Sequence, residues 1–386
     1  MPSRLIIIGA GPIGLAAAVG ALDRGFDVTV VEKSSPGASL RRWGSTRFFS
    51  PLGMNITPRM RQVAVRDLPP DDALLTGPEM ADRVLVPIAE SPMLRDRIRI
   101  GHTVRAIGRR GLIRTDFPAH PLRAERPFRL LVDTGHGDEI VESERVIDCS
   151  GSCAVALPSG AGGIAAPGEA ALGQQIIHDL EAIGSRSASL AGSRILLVGH
   201  GHSAANAIAQ LQQIAASAPE TRVTWAVRSP NRRPCVEVAG DPLPERKRVT
   251  SHANDLAASP PPFLRVERRV MIERMTAQGS SVEVAFTNGT TALFDHIAAF
   301  TGYRPDASFL TELTVELSPV TEGGARLYGA ISNITDCLTP PSVRPEDLVS
   351  GEPGFFLAGS RSYGRARTFL LQTGLQQLEV ILKSLV

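Results

Sequence analysis

Two segments of this chain read as the same device. Residues 4–33 run RLIIIGAGPIGLAAAVGALDRGFDVTVVEK, and residues 193–213 run SRILLVGHGHSAANAIAQLQQ. In each, a short apolar run precedes glycines in G-x-G-x-x-G/A spacing, and a helix-like stretch follows. Gly9, Gly11 and Gly14 fill the three positions in the first, and Gly199, Gly201 and Ala204 in the second. The first small residue permits a tight turn, the second lets backbone approach a pyrophosphate, and the third lets helix and strand pack closely. The helix that follows presents free N–H groups and a positive dipole end to the phosphates. Each segment therefore predicts a β-turn-α-β unit that cradles a dinucleotide, and the fold class is α/β with two Rossmann-like domains.

The acid at the end of the next strand separates the two sites. DVTVVEK ends in Glu32 and Lys33, and a carboxylate there accepts hydrogen bonds from ribose hydroxyls. The matching strand of the second unit, RVTWAVRSPNRR, ends instead in Arg228, Arg232 and Arg233. Guanidinium groups there suit a 2′-phosphate, which a carboxylate would repel. The first site is expected to take an unphosphorylated ribose and the second a phosphorylated one, as in NADPH, with Ser203 beside the second turn.

Composition excludes other classes. The charged residues are 41 basic and 39 acidic, a net +2, so no nucleic-acid surface is indicated. Residues 5–22 are uncharged and mostly apolar, but Gly9, Gly11, Pro12 and Gly14 interrupt the run, so no membrane helix is expected. Cysteines at 149, 153, 235 and 337 make no disulfide framework and fit a reducing, cytoplasmic setting. His200 and His202 lie in the second glycine loop without a cluster to complete a ligand set, so no metal site is expected.

Two fingerprints in one chain, the first at the extreme N-terminus, resemble the two-dinucleotide-binding-domain flavoproteins, which include thioredoxin-reductase-like enzymes and flavin-containing monooxygenases. RVIDCSG at 145–151 looks like the turn out of the FAD domain, with Gly151 at the cofactor. AAFTGYRPD at 298–306 looks like the return from the NADPH domain. GFFLAGSRSYGRARTFLLQTGLQQLEVIL at 354–382 looks like the last FAD-facing strand, loop and helix, with Gly359, Ser360, Arg367 and Thr368 near the flavin. The resemblance implies FAD and NADPH as cofactors, and an NADPH domain at 166–297 inserted between FAD-domain segments 1–165 and 298–386. It also implies a small-molecule substrate between the domains, and dimers are common among such proteins.

The resemblance branches at the electron acceptor. RRWGSTRFFSPLGMN at 41–55 loosely matches the tryptophan and L-x-x-N segments of flavin-containing monooxygenases, which implies that Trp43, Arg47, Ser50 and Asn55 line the flavin pocket. The monooxygenase F-x-G-x-x-x-H motif is absent before the second fingerprint, where only Gly163, Gly168 and His178 echo it. Neither position at which disulfide reductases carry a redox cysteine pair has one here, and CSGSC at 149–153 reads as two structural thiols. Ser360 stands where those reductases carry an aspartate. The favoured expectation is an NADPH-dependent monooxygenase. The alternatives are a disulfide or quinone reductase and a non-catalytic redox-sensing flavoprotein. The Pro-rich, charged stretch 230–256 is expected to be a loose excursion over the cleft.

Overall fold

Strand Arg4–Ile8 carries four consecutive buried aliphatics, because both faces of its sheet are covered. Leu5 and Ile7 join a core with helices Pro12–Leu22 and Leu371–Ser384. Ile6 and Ile8 point the other way, into a core with the antiparallel strands Thr103–Arg109, Phe128–Asp133 and Asp138–Ser143. A computed structural model describes residues 2–118, 120–334 and 343–385 of the chain, so Cys337 lies outside the described residues. The first sheet is parallel throughout, in the order Phe355–Leu357, Arg145–Asp148, Arg4–Ile8, Asp27–Glu32, Ile98–Ile100.

A second parallel sheet repeats this plan. Its order is Leu264–Arg268, Arg222–Val227, Arg194–Val198, His296–Ala299, Ile176–Ile177. Ile195 and Leu197 face helices His202–Ser217 and Pro244–Ala258. Leu196 and Val198 face three antiparallel strands, Ile272–Gln278, Ser281–Phe286 and Thr291–Phe294. The hairpin at Asn288-Gly289 turns with Gly289 at φ +81°, a left-handed conformation open to glycine at no steric cost.

Every strand of the second sheet falls, in chain order, between Arg145–Asp148 and Phe355–Leu357 of the first. The chain crosses between sheets twice, and the crossings pair as antiparallel strands Val155–Ala156 and Tyr303–Arg304. Two expected boundaries shift. Residue 297 lies inside strand His296–Ala299, which must run on to pair with Val198. Ahead of 165, Gly160 already bridges to Ile272. A third expectation is corrected more fully. Half of the stretch read as a loose excursion is helix Pro244–Ala258, with proline in its first turn and Val249, Ala253, Leu256 and Ala257 buried along one face. Its charged residues, apart from the buried Arg246, lie off that face and masked the periodicity. No helix among the described residues is long and apolar enough to cross a membrane.

The first unit also contains a buried ion cluster. Glu352 accepts from Arg109 Nε at 2.8 Å and from Arg123 Nη2 at 3.0 Å, with all three side chains at most 1% exposed. Thr314 donates its N–H and hydroxyl to the same carboxylate, each at 2.8 Å. The Arg109 guanidinium lies 3.6 Å from the Phe128 ring centre. Burial pushes the Glu352 carboxyl up, but these hydrogen bonds outweigh it and its pKa is lowered. The stability it contributes is therefore present above the unfolded pKa and is lost as pH falls through the folded one. Glu352→Gln leaves two buried cations without a counter-charge. In urea unfolding at pH 7 it is expected to cost about 3–5 kcal/mol. That deficit should shrink in acid, where wild type loses the same charge.

Candidate functional site

The first glycine turn is built by close approach. Gly9 sits at φ +98°, and a Cβ there would lie 2.9 Å from the Cys149 carbonyl oxygen. A Cβ on Gly14 would lie 1.9 Å from the Gly9 carbonyl oxygen, so helix and strand meet backbone to backbone. Gly11 differs: a Cβ there would meet nothing within 4 Å. It is the N-cap of Pro12–Leu22, and no side chain caps that helix. The first-turn N–H groups are thus left to an anionic ligand held in a cradle that a Cβ would fill. At the edge of the cradle, Glu32 accepts the Ala10 N–H at 2.7 Å and the Ser34 N–H at 2.8 Å. Each oxygen keeps a lone pair for a further donor. Lys33 is exposed beside it.

The second turn has the same geometry. Gly199 is at φ +112°, with a Cβ position 2.3 Å from the Phe300 carbonyl oxygen, while Gly201 again opens onto free space. Gly201 is the N-cap of His202–Ser217, also without a side-chain cap. Ala204 is fully buried at the third position and Ser203 is half-buried. Trp225 fixes the turn by donating its indole N–H to the Gly199 carbonyl at 2.7 Å. These residues fit a second dinucleotide.

The three arginines beside the second turn divide. Arg233 is taken by Asp255 at 2.7 Å and Glu237 at 2.9 Å. Arg232 donates to the Ala258 carbonyl at the end of helix Pro244–Ala258. Both therefore fasten the 228–243 loop. Arg228 is exposed and has no partner among the described residues. Arg367, from the loop before the last helix, is also exposed and unpaired among the described residues. Burial lowers the His200 and His202 pKa values, and Arg367 adds to the effect on both. The histidines are neutral at pH 7, so the cationic charge at this turn comes from Arg228 and Arg367.

Between the two turns lies segment 41–55. Trp43 packs on Phe48 with ring centres 4.7 Å apart. The Ser50 hydroxyl donates to Asn55 Oδ1 at 2.8 Å, and Asn55 Nδ2 returns a bond to the Ser50 carbonyl at 3.0 Å, both residues being buried. The pair closes the short 3₁₀ turn Leu52–Met54. Arg47 points outward instead and donates to the Leu74 carbonyl at 2.7 Å. Phe49 reaches the second unit, where its ring meets His202 edge-on at 5.0 Å.

Sequence reasoning missed the interaction that ties the C-terminal loop to the first cradle. Asp148 and Arg361, both fully buried, pair at 2.8 Å. Asp148 also accepts the Ser150 N–H, which sets the 149–151 turn where Gly151 sits at φ +82° and faces the Ser360 hydroxyl. Gln377 accepts the Gly359 N–H at 2.9 Å and so anchors the loop to the last helix. That helix, Leu371–Ser384, also has no side-chain N-cap, and half-buried Thr368 lies just before it. The sequence signals were only an aspartate ending the apolar run Val146-Ile147 and an arginine among several in the loop after Phe355–Leu357. Tyr363 is 1% exposed and Arg365 reaches Glu322 at 3.7 Å, which leaves Arg367 as the accessible cation of this loop.

Cys149, Cys153 and Cys235 are free thiols. Cys149 is 8% exposed and its Cβ is 3.5 Å from a Cβ position on Gly14. Burial, with Asp148 beside it, pushes its thiol well up. Cys153 is exposed, and Cys235 is buried in the second core with its thiol pushed up to about 12.

A family model described as pyridine nucleotide-disulphide oxidoreductase matches residues 6–67. No curated protein matches this chain. Among solved structures, bacillithiol disulfide reductase from Bacillus cereus is similar with TM-score 0.71 and 16% identity, over 100% of this chain and 98% of that one. The FAD-bound cadaverine monooxygenase of Erwinia amylovora is similar with TM-score 0.67 and 12% identity, over 100% and 95%. An ornithine N-hydroxylase from Kutzneria sp. 744 gives 0.65 and 15%, over 100% and 98%. The chain has the fold of the two-dinucleotide-binding-domain flavoproteins.

The glycines separate folding from binding. Gly11→Ala, with φ at −78° and an open Cβ position, is expected to keep the melting temperature within a few degrees. The same variant should bind titrated FAD at least about tenfold more weakly, because the Cβ occupies the pyrophosphate approach. Gly14→Ala is expected to lower the melting temperature itself.

Proposed function

We propose that this protein is an FAD-dependent NADPH oxidoreductase, and within that class a monooxygenase acting on a small molecule. The carrying observation is the pair of glycine cradles in one chain, each opening onto a helix start that no side chain caps. FAD held at the first cradle would supply the hydride and electron-transfer chemistry that no side chain of the protein can.

The chain's own residues bind and orient. The backbone N–H groups around Gly11 and Gly201 hold pyrophosphates, and Glu32 offers its remaining lone pairs to ribose hydroxyls. Arg228 is the free cation for a 2′-phosphate, a role for which Arg232 and Arg233 are already committed elsewhere. Trp43, Phe48 and the Ser50–Asn55 pair form a rigid wall between the two cradles. Asp148 and Arg361 fix the loops on either side of the first cradle.

A monooxygenase is favoured over a dithiol reductase because Cys149 is buried, is packed on the first βα turn and has its thiol pushed up. A thiol in that state is not the attacking thiolate that disulfide exchange needs. The likeness to a bacillithiol disulfide reductase and the exposed Cys153 support the second reading, a disulfide reductase.

Anaerobic mixing of the FAD-loaded protein with NADPH tests the class. Flavin bleaching supports it, and bound flavin that NADPH cannot reduce overturns it in favour of a non-catalytic flavoprotein. Arg228→Ala is expected to weaken NADPH about tenfold or more and leave NADH unchanged. Admitting air then tests the finer reading through product formed from a supplied acceptor. Turnover of a disulfide that disappears in Cys153→Ser would replace the monooxygenase with the reductase.

A further inference from the structure

One arginine of the first unit touches both chain crossings and a helix of the second unit. Arg42 follows the short helix Ala38–Arg41 of the first unit. Its carbonyl accepts the N–H of Glu181 at 3.1 Å, in the first turn of the second unit's helix Leu180–Ser185. Its guanidinium pairs with Asp179, the N-cap residue of that helix, through Nε at 2.9 Å and Nη2 at 2.7 Å. The same guanidinium donates to the Cys153 carbonyl, at the start of the outgoing crossing. It also lies 5.5 Å from the ring centre of Tyr303, in the returning crossing. Tyr303 completes the arrangement by donating its hydroxyl to the His178 carbonyl at 2.6 Å and to Asp179 Oδ1 at 3.0 Å.

The backbone beside Arg42 is shaped for the same contact. Gly44 sits at φ +57°, and a Cβ there would lie 2.8 Å from Glu181 Cα. Only glycine lets the 42–44 segment approach the helix this closely. Just past it, Ser45 meets Gln210 and Phe49 meets His202, both on the second unit's helix His202–Ser217. The Arg42 contacts and the Phe49–His202 contact therefore lie along one short, continuous interface.

Resting on the reading of two dinucleotide cradles, we propose that Arg42, Asp179 and Tyr303 are positioning residues. Together they clamp the second unit in the orientation that sets its glycine turn against Phe49. Without the clamp the units are joined by two crossing strands that share one short ladder and by the Ser45 and Phe49 contacts. The Arg42 and Asp179 side chains are 41% and 30% exposed. A partly exposed ion pair is screened by salt, so the clamp is one that can open.

The test compares Arg42→Ala, Asp179→Asn and Gly44→Ala with wild type by small-angle X-ray scattering, with and without FAD, and by anaerobic reduction with NADPH. Gly44→Ala removes no charge and acts by sterics alone. Each variant is expected to enlarge the radius of gyration and slow reduction at saturating NADPH by roughly tenfold or more. The dissociation constant for NADPH should stay within about threefold, because neither cradle is altered. The double variant Arg42→Ala/Asp179→Ala should be no worse than either single. Tyr303→Phe, which keeps the ring, serves if a stronger variant fails to fold, and should give the same shifts at smaller size. Wild-type scattering overturns the clamp, whether or not reduction is slowed. Altered scattering with an undiminished rate also overturns the positioning role. If NADPH fails to reduce even the wild type, the proposed function falls, and the scattering comparison alone decides whether the clamp exists.

Discussion

Helices Pro12–Leu22 and His202–Ser217 both begin on glycine, with no side chain to cap them. The first turn of a helix has N–H groups without partners within the helix, and serine, threonine, aspartate or asparagine commonly satisfies one of them. Here the turn is kept bare and is pressed against the preceding strand by Gly9 and Gly14 in one unit, and by Gly199 and Ala204 in the other. The rest of the architecture holds those two bare turns in place. Each parallel sheet is covered on one face by helices and on the other by three antiparallel strands. Burial on both faces fixes the register of the strand that feeds each turn.

Charge is distributed to the same end. Most arginines near the candidate site are already paired. Arg361 with Asp148, Arg42 with Asp179, and Arg233 with Asp255 and Glu237 each fix backbone segments around the cleft. The cations left unpaired there among the described residues are Arg228 and Arg367, beside the second turn. The neighbouring His200 and His202 have their pKa values lowered by desolvation and by nearby arginines, Arg367 acting on both. An anionic ligand at that turn thus meets exposed, unpaired guanidinium groups, while structural pairs keep the loops in position.

The sequence made both βαβ units legible, down to the strand that ends at Glu32 and the turn at Gly289. Those features are local: a short apolar run, glycines at fixed spacing and a return strand. The helix Pro244–Ala258 was not legible, because charged residues on its exposed face hid the buried stripe. Sequence placed Arg232 and Arg233 together with Arg228 as one cluster, and only the fold separated them. Arg47 was grouped with Trp43, Ser50 and Asn55, yet its side chain turns out to the Leu74 carbonyl.

By itself, the sequence determined that this chain makes two dinucleotide cradles and which of them carries an acid after its second strand. Those properties follow from backbone conformation and local side-chain chemistry within a few dozen residues. Tertiary structure alone decided which charges are free and how the cradles face each other. The pairs that decide it join residues 137 apart at Arg42 and Asp179, 213 apart at Asp148 and Arg361, and 243 apart at Arg109 and Glu352. No periodicity or spacing encodes a contact at such separation, because it forms only when segments from distant parts of the chain pack together, and the two pairs inside the first unit are also shut off from water.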